Sequence, residues 1–169
     1  DDARALIEKR FAELKSTDFK DINTEIVYQK VKAFIPVLLI LSKKYTSVVA
    51  NPPYMGSGNM NDGLKNYLNA NYPISKSDLF AVFIESMIEM LQSNGRLGCI
   101  TMESWMFLSS YEQLRKKIIE TYSIASLAHF GWHIIGIAFG TATLILEKSK
   151  RIKFGEYSYL TINDINRDT

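Results

Sequence analysis

Cysteine is nearly absent from this sequence of 169 residues, in which Cys99 stands alone. One thiol can form neither a disulfide framework nor a cluster of thiolate metal ligands, and such usage is typical of a reducing compartment. Long hydrophobic runs are also missing. The most apolar stretch, residues 33–41, is far shorter than the roughly 20 residues that span a bilayer. We therefore expect a cytoplasmic protein with no membrane partner.

An excess of charge of either sign is missing as well, because the formal net charge is only +2 at pH 7. Composition therefore does not indicate a nucleic-acid partner, which would need a local basic patch. The hydrophobic share of 47% and the charged share of 22% are ordinary for a globular protein. The length is sufficient for one domain with a buried core.

Proline is scarce too, yet two of the four prolines are adjacent, at Pro52 and Pro53. They follow an apolar run over residues 46–50 that is typical of a buried strand. Proline cannot donate to a sheet ladder, so the strand must end here, and Pro52 keeps Asn51 out of the helical region. The sequence Asn-Pro-Pro-Tyr is thus predicted to be a stiff turn at the carboxyl end of a strand. Open α/β sheets bind ligands at that edge.

Helical and strand patterns alternate after this turn. The polar residues 55–76 are predicted to form a long loop with one helical turn near residues 64–68. Ser75 and Asp78 match a capping box that opens a helix over residues 78–92.

A second capping box, Ser109 with Glu112, opens a helix that is predicted to end near Tyr122. The further predicted strands cover residues 96–101, 124–130, 141–148 and 157–162. The strands at 124–130 and 141–148 are joined by a loop without a helix. That pair is therefore predicted to be antiparallel, at an edge of the sheet.

Strands that alternate with helices predict an α/β fold with a largely parallel sheet and flanking helices. Residues 1–45 carry two helical patterns and are interpreted as a helical lead-in. Residues 46–150 form the main unit, and residues 151–169 form a connector toward a following domain. Because the chain opens directly in a helical pattern, we expect it to be part of a longer protein.

The Asn-Pro-Pro-Tyr turn carries the groups that can activate an amine attached to an aromatic ring. Such an amine is a poor nucleophile, since its lone pair is delocalised into the ring. The side-chain oxygen of Asn51 and the carbonyl of Pro52 can accept its two hydrogens and draw the nitrogen toward a tetrahedral state. Tyr54 offers a face for stacking, worth roughly 1–3 kcal/mol per base. The structural alternative is a plain strand-ending turn with an exposed tyrosine.

This turn resembles the catalytic motif of adenine-specific amino-methyltransferases that act on DNA. Other segments resemble further motifs of that family in the family's order, and they lie at residues 77–85, 94–101, 104–108 and 139–146. The wording of residues 51–61 is similar to the PglX methyltransferases of BREX phage-defence systems. The resemblance covers about residues 46–148. It implies a partial Rossmann-like sheet of the S-adenosylmethionine-dependent methyltransferases.

The family's glycine-rich cofactor loop has no counterpart here, because no Gly-x-Gly follows a strand before residue 46. The resemblance implies that Asn51, Leu79 and Phe80 remain of the S-adenosylmethionine site, although Phe80 fits a core position equally well. We therefore interpret the main unit as the target-binding half of a catalytic domain, and we expect the chain alone to be inactive.

The resemblance also implies that Phe139 closes over the target adenine, opposite Tyr54, after the base has left the DNA stack. The alternative for Phe139 is a core position at a strand start. Trp132 lies in a predicted loop, where it lines the target pocket or the DNA groove or packs on the core. His129 and His133 have no third ligand nearby, so no metal is expected.

We therefore hypothesise that the chain is part of a site-specific DNA methyltransferase. The parent enzyme would transfer a methyl group from S-adenosylmethionine to the exocyclic amino group of a flipped adenine. Expected partners are double-stranded DNA, the remainder of the parent protein, and other restriction or phage-defence subunits. The alternatives are methylation of an RNA base or a protein glutamine, and a non-catalytic interaction domain on the same scaffold.

Overall fold

The computed structural model describes residues 2–15, 22–149 and 154–164. Its contacts divide the chain into two compact units, Asp1–Lys44 and Tyr45–Thr169. The first unit contains two helices, α1 (Asp2–Lys15) and α2 (Ile22–Leu41). They match the two helical patterns predicted within residues 1–45, and residues 16–21 between them lie outside the described residues. Within the described ranges, no helix is both long and apolar enough to cross a membrane.

The second unit is an α/β structure, as predicted. Its helices are α3 (Asp62–Asn71), α4 (Leu79–Met90) and α5 (Glu112–Thr121). Its strands are β1 (Tyr45–Ala50), β2 (Leu91–Met102), β3 (Ser123–Phe130), β4 (Thr141–Glu147) and β5 (Glu156–Leu160). Short 3-10 helices lie at Ser57–Asn59, Glu103–Met106, Ser109–Tyr111 and Ile162–Asp164.

The five strands form one mixed sheet in the order β1-β2-β4-β3-β5. β1 is parallel to β2, and β3 is parallel to β5, whereas β4 is antiparallel to both of its neighbours. The antiparallel pairing of β3 with β4 confirms the prediction from their short connection. The sheet is less parallel than expected, and β4 lies inside it rather than at an edge. A connection without a crossover helix returns β4 into the gap between β2 and β3.

The core lies between one face of this sheet and the helices α4 and α5. Its fully buried members are Phe80, Ile84, Leu91, Leu97, Leu114, Ile118, Leu144 and Leu146. Neighbouring residues along the same strands point to the opposite face, where Val49 is 81% exposed and Ile145 is 37% exposed. Within the second unit, therefore, one face of the sheet is covered by helices and the other is open and apolar.

This difference between the two faces can be tested on adjacent residues of β4. Leu144→Ala removes a fully buried side chain and is expected to lower the free energy of unfolding by about 2–5 kcal/mol. Ile145→Ala acts on the open face and is expected to cost less than about 1 kcal/mol. Urea unfolding followed by circular dichroism measures both. Equal losses for the two variants would contradict the assignment of the faces.

The polar segment after the Asn-Pro-Pro-Tyr turn is more ordered than the sequence predicted. Helix α3 occupies ten residues where one turn was expected. The side chain of Asn61 caps this helix by accepting the backbone N–H of Leu64 at 2.8 Å. Leu68 is buried beneath it. The prediction missed the Asn-Asp start and gave too much weight to the general polarity of the segment.

Both predicted capping boxes were wrong in their first residue. Asp78 itself caps α4 by accepting the N–H of Phe80. Ser75 instead donates to the buried carboxylate of Glu85 at 2.6 Å. Ser109 begins a 3-10 turn, and α5 starts only at Glu112. At Ser75 the serine hydroxyl satisfies a buried charge, which is a stronger requirement than capping a helix end.

Candidate active site

Four segments meet at the edge of the sheet where β1 ends. β1 ends at Ala50, which pairs with Cys99 of β2, and Asn51 follows directly. Thr141 at the start of β4 pairs both with Met102 and with Phe130. The ends of β1, β2 and β3 and the start of β4 therefore lie at one edge. This arrangement places the Asn-Pro-Pro-Tyr turn beside the loop of residues 131–140.

The two expected amine acceptors are unoccupied in this arrangement. Asn51 is exposed, and Pro52 is buried. Neither the Asn51 side chain nor the Pro52 carbonyl has a hydrogen-bond partner among the described residues. Pro52 fixes the backbone, and Asn51 projects a polar group from the end of an apolar strand. The turn therefore presents two oxygen acceptors that remain available to an external N–H donor.

The ring of Tyr54 lies between two phenylalanines. Its centroid is 6.2 Å from that of Phe80, with the planes at 88°, and 5.7 Å from that of Phe139, with the planes at 75°. Both contacts are edge-to-face. Burial raises the pKa of Tyr54, so its phenol stays neutral. The hydroxyl group lies 3.5 Å from the carbonyl oxygen of Ile100, and a bond of that length is weak.

The structure thus brings Tyr54 and Phe139 together, as the sequence analysis expected for the base-stacking pair. The rings do not form parallel walls, however. A base stacked between them needs two contacts of about 3.5 Å, hence ring planes about 7 Å apart. The observed edge-to-face contact fills that space, so Phe139 must turn or withdraw before a base can enter.

Leu79 and Phe80, the predicted cofactor residues, contact the Asn-Pro-Pro-Tyr turn or the residue that follows it. The N–H of Leu79 donates to the carbonyl of Met55 at 3.1 Å. Phe80 is fully buried and also contacts Tyr111, at a centroid distance of 5.7 Å. In this chain Phe80 supports the Tyr54 ring from within the core. A contact of Leu79 or Phe80 with the cofactor stays a prediction.

Asp78 is a site residue that the sequence analysis treated only as part of a helix cap. Its Oδ1 accepts the N–H of Met55 at 2.9 Å and that of Phe80 at 3.2 Å. A bridge between Gly56 and Asp78 adds a second link. Asp78 therefore joins the segment after Tyr54 to the start of α4. An aspartate directly before an apolar helix was the available signal.

Glu103 is the second residue that sequence reasoning missed. It follows β2, and its N–H donates to the carbonyl of Gly140 at 3.0 Å. Its carboxylate contacts Nε2 of His129 at 2.5 Å and accepts Nε1–H of Trp132 at 3.3 Å. Through its backbone and its carboxylate, Glu103 therefore connects the end of β3, the loop that follows it and the residue next to Phe139. No local sequence signal marked this role.

A side chain at Gly140 would occupy the space of that carboxylate, because a Cβ built there overlaps Glu103. Beside it lies a cavity of about 240 Å³, which is lined by Met102, Glu103, Ser104, Phe107, Leu108, Trp132, Phe139 and Gly140. Trp132 is 61% exposed at this cavity, so the structure places it in the loop and away from the core. Phe139 is half-buried, with the cavity on one side of it.

The two histidines have separate surroundings. His129 stacks on Tyr159 at a centroid distance of 4.6 Å and bonds to Glu103. His133 lies in the loop with a positive φ of 65°, and its N–H donates to Ile137. In the part of the chain that the structure describes, no three His, Cys, Asp or Glu residues are grouped as metal ligands.

An apolar hollow of about 660 Å³ lies on the open face of the sheet beside Asn51. It is lined by Val49, Ala50, Asn51, Gly98, Cys99, Ile100, Thr143 and Ile145. Its surface suits a flat, weakly polar group. It contains no carboxylate for ribose hydroxyls and no glycine-rich loop for the rest of a nucleoside cofactor. The residues that line the hollow thus fit the flat part of a nucleoside cofactor and provide no groups for its ribose or its remainder.

The hollow reaches the backbone of Cys99, while the thiol itself is buried against the helices. Burial raises the pKa of Cys99 to about 12. The thiolate is therefore scarce at neutral pH, and we expect iodoacetamide to leave the folded chain unmodified at pH 8. Mass spectrometry should show one adduct only after denaturation. Rapid alkylation of the folded chain would contradict the burial of Cys99.

The fold defines the class first. A protein from Listeria monocytogenes, assigned to the class I S-adenosylmethionine-dependent methyltransferases, superposes with a TM-score of 0.57 at 16% identity. The superposition covers 71% of this chain and 38% of that one. At this identity the similarity establishes the fold, which is that of the S-adenosylmethionine-dependent methyltransferases.

The family follows from the sequence comparisons. The chain belongs to the Eco57I restriction-modification methylase family, whose model matches residues 2–134. It is 40% identical over 116 residues to the adenine-specific methyltransferase BrxX of Escherichia coli O9:H4 (strain HS), covering 69% of this chain. It is 40% identical over 136 residues to the adenine-specific methyltransferase PglX of Lacticaseibacillus casei (strain Zhang), covering 78%. The matches span only 10% and 11% of those relatives, about a tenth of each.

Proposed function

We propose that this chain holds the acceptor base in an adenine-specific DNA methyltransferase. The observation that carries the proposal is the pair of unpartnered acceptors on Asn51 and Pro52, beside the Tyr54 ring at the carboxyl end of β1. Membership of a restriction-modification methylase family and the names of the two relatives support adenine in DNA as the substrate.

The chemistry follows from the turn. The Asn51 side-chain oxygen and the Pro52 carbonyl each accept one hydrogen of the adenine amino group. These bonds draw the nitrogen away from conjugation with the ring, so its lone pair becomes available for attack. Tyr54 holds the ring plane by stacking, and the stiff Pro-Pro backbone fixes the acceptors before the base arrives. One amine proton leaves after transfer, and solvent can accept it because Asn51 is exposed.

S-adenosylmethionine, when bound, supplies an electrophilic methyl group on its sulfonium. Asn51, Leu79 and Phe80 are the residues of this chain that we propose to lie nearest to it. The apolar hollow beside Asn51 is the surface that would face the cofactor side. β1 is an edge strand in this sheet, and Val49 on it is largely exposed. Both features support a larger sheet in which the cofactor-binding half covers this surface.

The proposed partners follow from the substrate and from the partial cofactor site. Double-stranded DNA is the substrate, and the remainder of the methyltransferase completes the cofactor site. Restriction or phage-defence subunits are further proposed partners, in line with the family's description and the relatives' names. A reducing cytoplasm suits an enzyme that acts on intracellular DNA.

A methyl-transfer assay tests whether the cofactor must be held by residues outside this chain. With S-adenosylmethionine labelled in the methyl group and duplex DNA, the chain alone is expected to incorporate no label. A longer protein that joins the same residues to a cofactor-binding half is expected to incorporate it. Clear incorporation by the chain alone would show that its own residues complete the cofactor site. Failure of the longer, folded, cofactor-binding protein to label any DNA would contradict the proposed function.

A further inference from the structure

A polar cavity of about 400 Å³ lies outside the residues that hold the base. It is lined by Ser57, Gly58, Lys65, Asn69, Lys76 and Ser77. Three segments contribute to it: the 3-10 turn after Tyr54, one face of α3, and the segment before α4. The mechanism proposed above uses none of these side chains.

The walls of this cavity are fixed by their backbones. The N–H of Ser57 donates to the carbonyl of Ser77 at 2.9 Å, which holds two walls together. Lys65 and Asn69 are four residues apart on α3, so their side chains emerge on the same helix face. A Cβ added at Gly58 meets no atom within 4 Å, so the cavity is open beside it.

The lining carries positive charge and hydrogen-bond donors without a carboxylate. Lys65 and Lys76 form no ion pair with any described residue. The nearest acidic residue along the chain, Asp78, uses Oδ1 to accept two backbone N–H groups on the side of the catalytic turn. Two ammonium groups with two serine hydroxyls form an environment that suits a phosphate oxygen.

The position of the cavity relative to the base site selects its ligand. Ser57 is three residues after Tyr54, so the two lie at most about 11 Å apart along the chain. A base that stacks on Tyr54 stays attached to its own DNA strand, so the backbone of that strand lies within a similar distance of the cavity. We infer that this cavity binds a backbone phosphate of the DNA strand that carries the target base. The inference rests on the proposed function for the identity of that strand.

The effect on DNA binding is the first test. The double variant Lys65→Gln with Lys76→Gln keeps the size and polarity of both side chains and removes both charges. It is expected to weaken binding of a fluorescein-labelled duplex by at least tenfold at low salt. The slope of log K against log salt should fall by about 2, roughly one for each lysine. Lys116→Gln, on the exposed surface of α5, is the matched control and should change neither quantity.

Binding of inorganic phosphate is the second test, and it needs no DNA. Titration at millimolar concentration is expected to shift the amide resonances of Ser57, Gly58 and Ser77 in the wild-type chain, with no shifts in the double variant. Absence of these shifts in the folded wild-type chain would overturn the inference. So would equal DNA affinity and salt slope in the wild type and the double variant.

These outcomes are separable from the proposed function. If the lysine variants weaken DNA binding while Asn51→Ala methylates normally, the phosphate site is supported and the catalytic proposal fails. If Asn51→Ala is inactive while the DNA-binding test and the inorganic phosphate test are both negative, the catalytic proposal is supported and the cavity does not bind a phosphate.

Discussion

Asn51→Ala is expected to lower the rate of methyl transfer by about 10²–10³-fold, which is the usual loss when one preorganised hydrogen-bonding group leaves an active site. The amide oxygen is one of only two acceptors that the turn offers to the adenine amine. Alanine leaves the amine with a single acceptor, so its lone pair stays largely conjugated with the ring. The rate should be measured at saturating DNA and cofactor, in a methyltransferase that contains this chain.

The same variant should bind DNA with nearly wild-type affinity, because Asn51 is exposed and supports no other described residue. The loss is thus expected in kcat, with little change in the dissociation constant for DNA. Asn66→Ala is the matched control, since Asn66 lies on an exposed face of α3 and should retain full activity. A rate for Asn51→Ala within a few-fold of the wild type would remove this residue from the mechanism.

Gly140→Ala is expected to have the second large effect, through Glu103. The new methyl group would overlap the Glu103 carboxylate, which must then leave its bonds with His129 and Trp132. The displaced carboxylate loses its two hydrogen bonds, which costs about 1–3 kcal/mol in total and corresponds to roughly 5- to 150-fold if the loss falls on catalysis. Phe139 precedes Gly140 directly, so its position at the proposed base site is expected to shift.

The indole N–H resonances report this change directly, since the sequence contains only two tryptophans. Nε1–H of Trp132 donates to Glu103, whereas that of Trp105 donates to Thr101 in the core at 3.0 Å. Gly140→Ala should move the Trp132 signal and leave that of Trp105 in place. Adding Glu103→Ala removes the overlap and should recover stability without restoring the Trp132 signal. An unchanged Trp132 resonance in Gly140→Ala would contradict the proposed link.

The Asn-Pro-Pro-Tyr turn was predictable from sequence because its cause is local. Two adjacent prolines end an apolar strand wherever they occur, and they fix the position of Asn51 regardless of the rest of the fold. Apart from α3, the helices and strands that follow had clear periodicity, and each predicted strand from residue 46 onward is present in the structure. Tyr54 and Phe139, the two predicted stacking residues, are in contact, and their role at a base site stays a prediction.

The features that sequence reasoning missed depend on distant contacts. Glu103 acts on residues about 26 to 37 positions away, which no local pattern reveals. The position of β4 inside the sheet depends on which strands pair, and periodicity contains no such information. Ser75 failed as a cap because Glu85, ten residues later, needs a buried partner. The edge-to-face packing of Tyr54 with Phe139 also follows only from the assembled edge.

The edge-to-face contact between Tyr54 and Phe139 closes the space that a base would need between the two rings. Edge-to-face contacts contribute about 0.5–1.5 kcal/mol beyond burial, and stacking a base contributes roughly 1–3 kcal/mol, so a stacked base can offset the loss of the ring contact. Phe139 lies beside a cavity of about 240 Å³, which offers space into which its ring can withdraw. Entry of a flipped base can therefore proceed by movement of one side chain, while the turn at Asn51 stays fixed.

The site of methylation tests the central claim most directly. DNA treated with methyl-labelled S-adenosylmethionine and a methyltransferase containing this chain should be digested to nucleosides and analysed by mass spectrometry. The account predicts that the label lies on the exocyclic amino nitrogen of deoxyadenosine and is lost when Asn51 is replaced with alanine. Label on cytosine or on an adenine ring nitrogen, or label on deoxyadenosine that persists in Asn51→Ala, would contradict it.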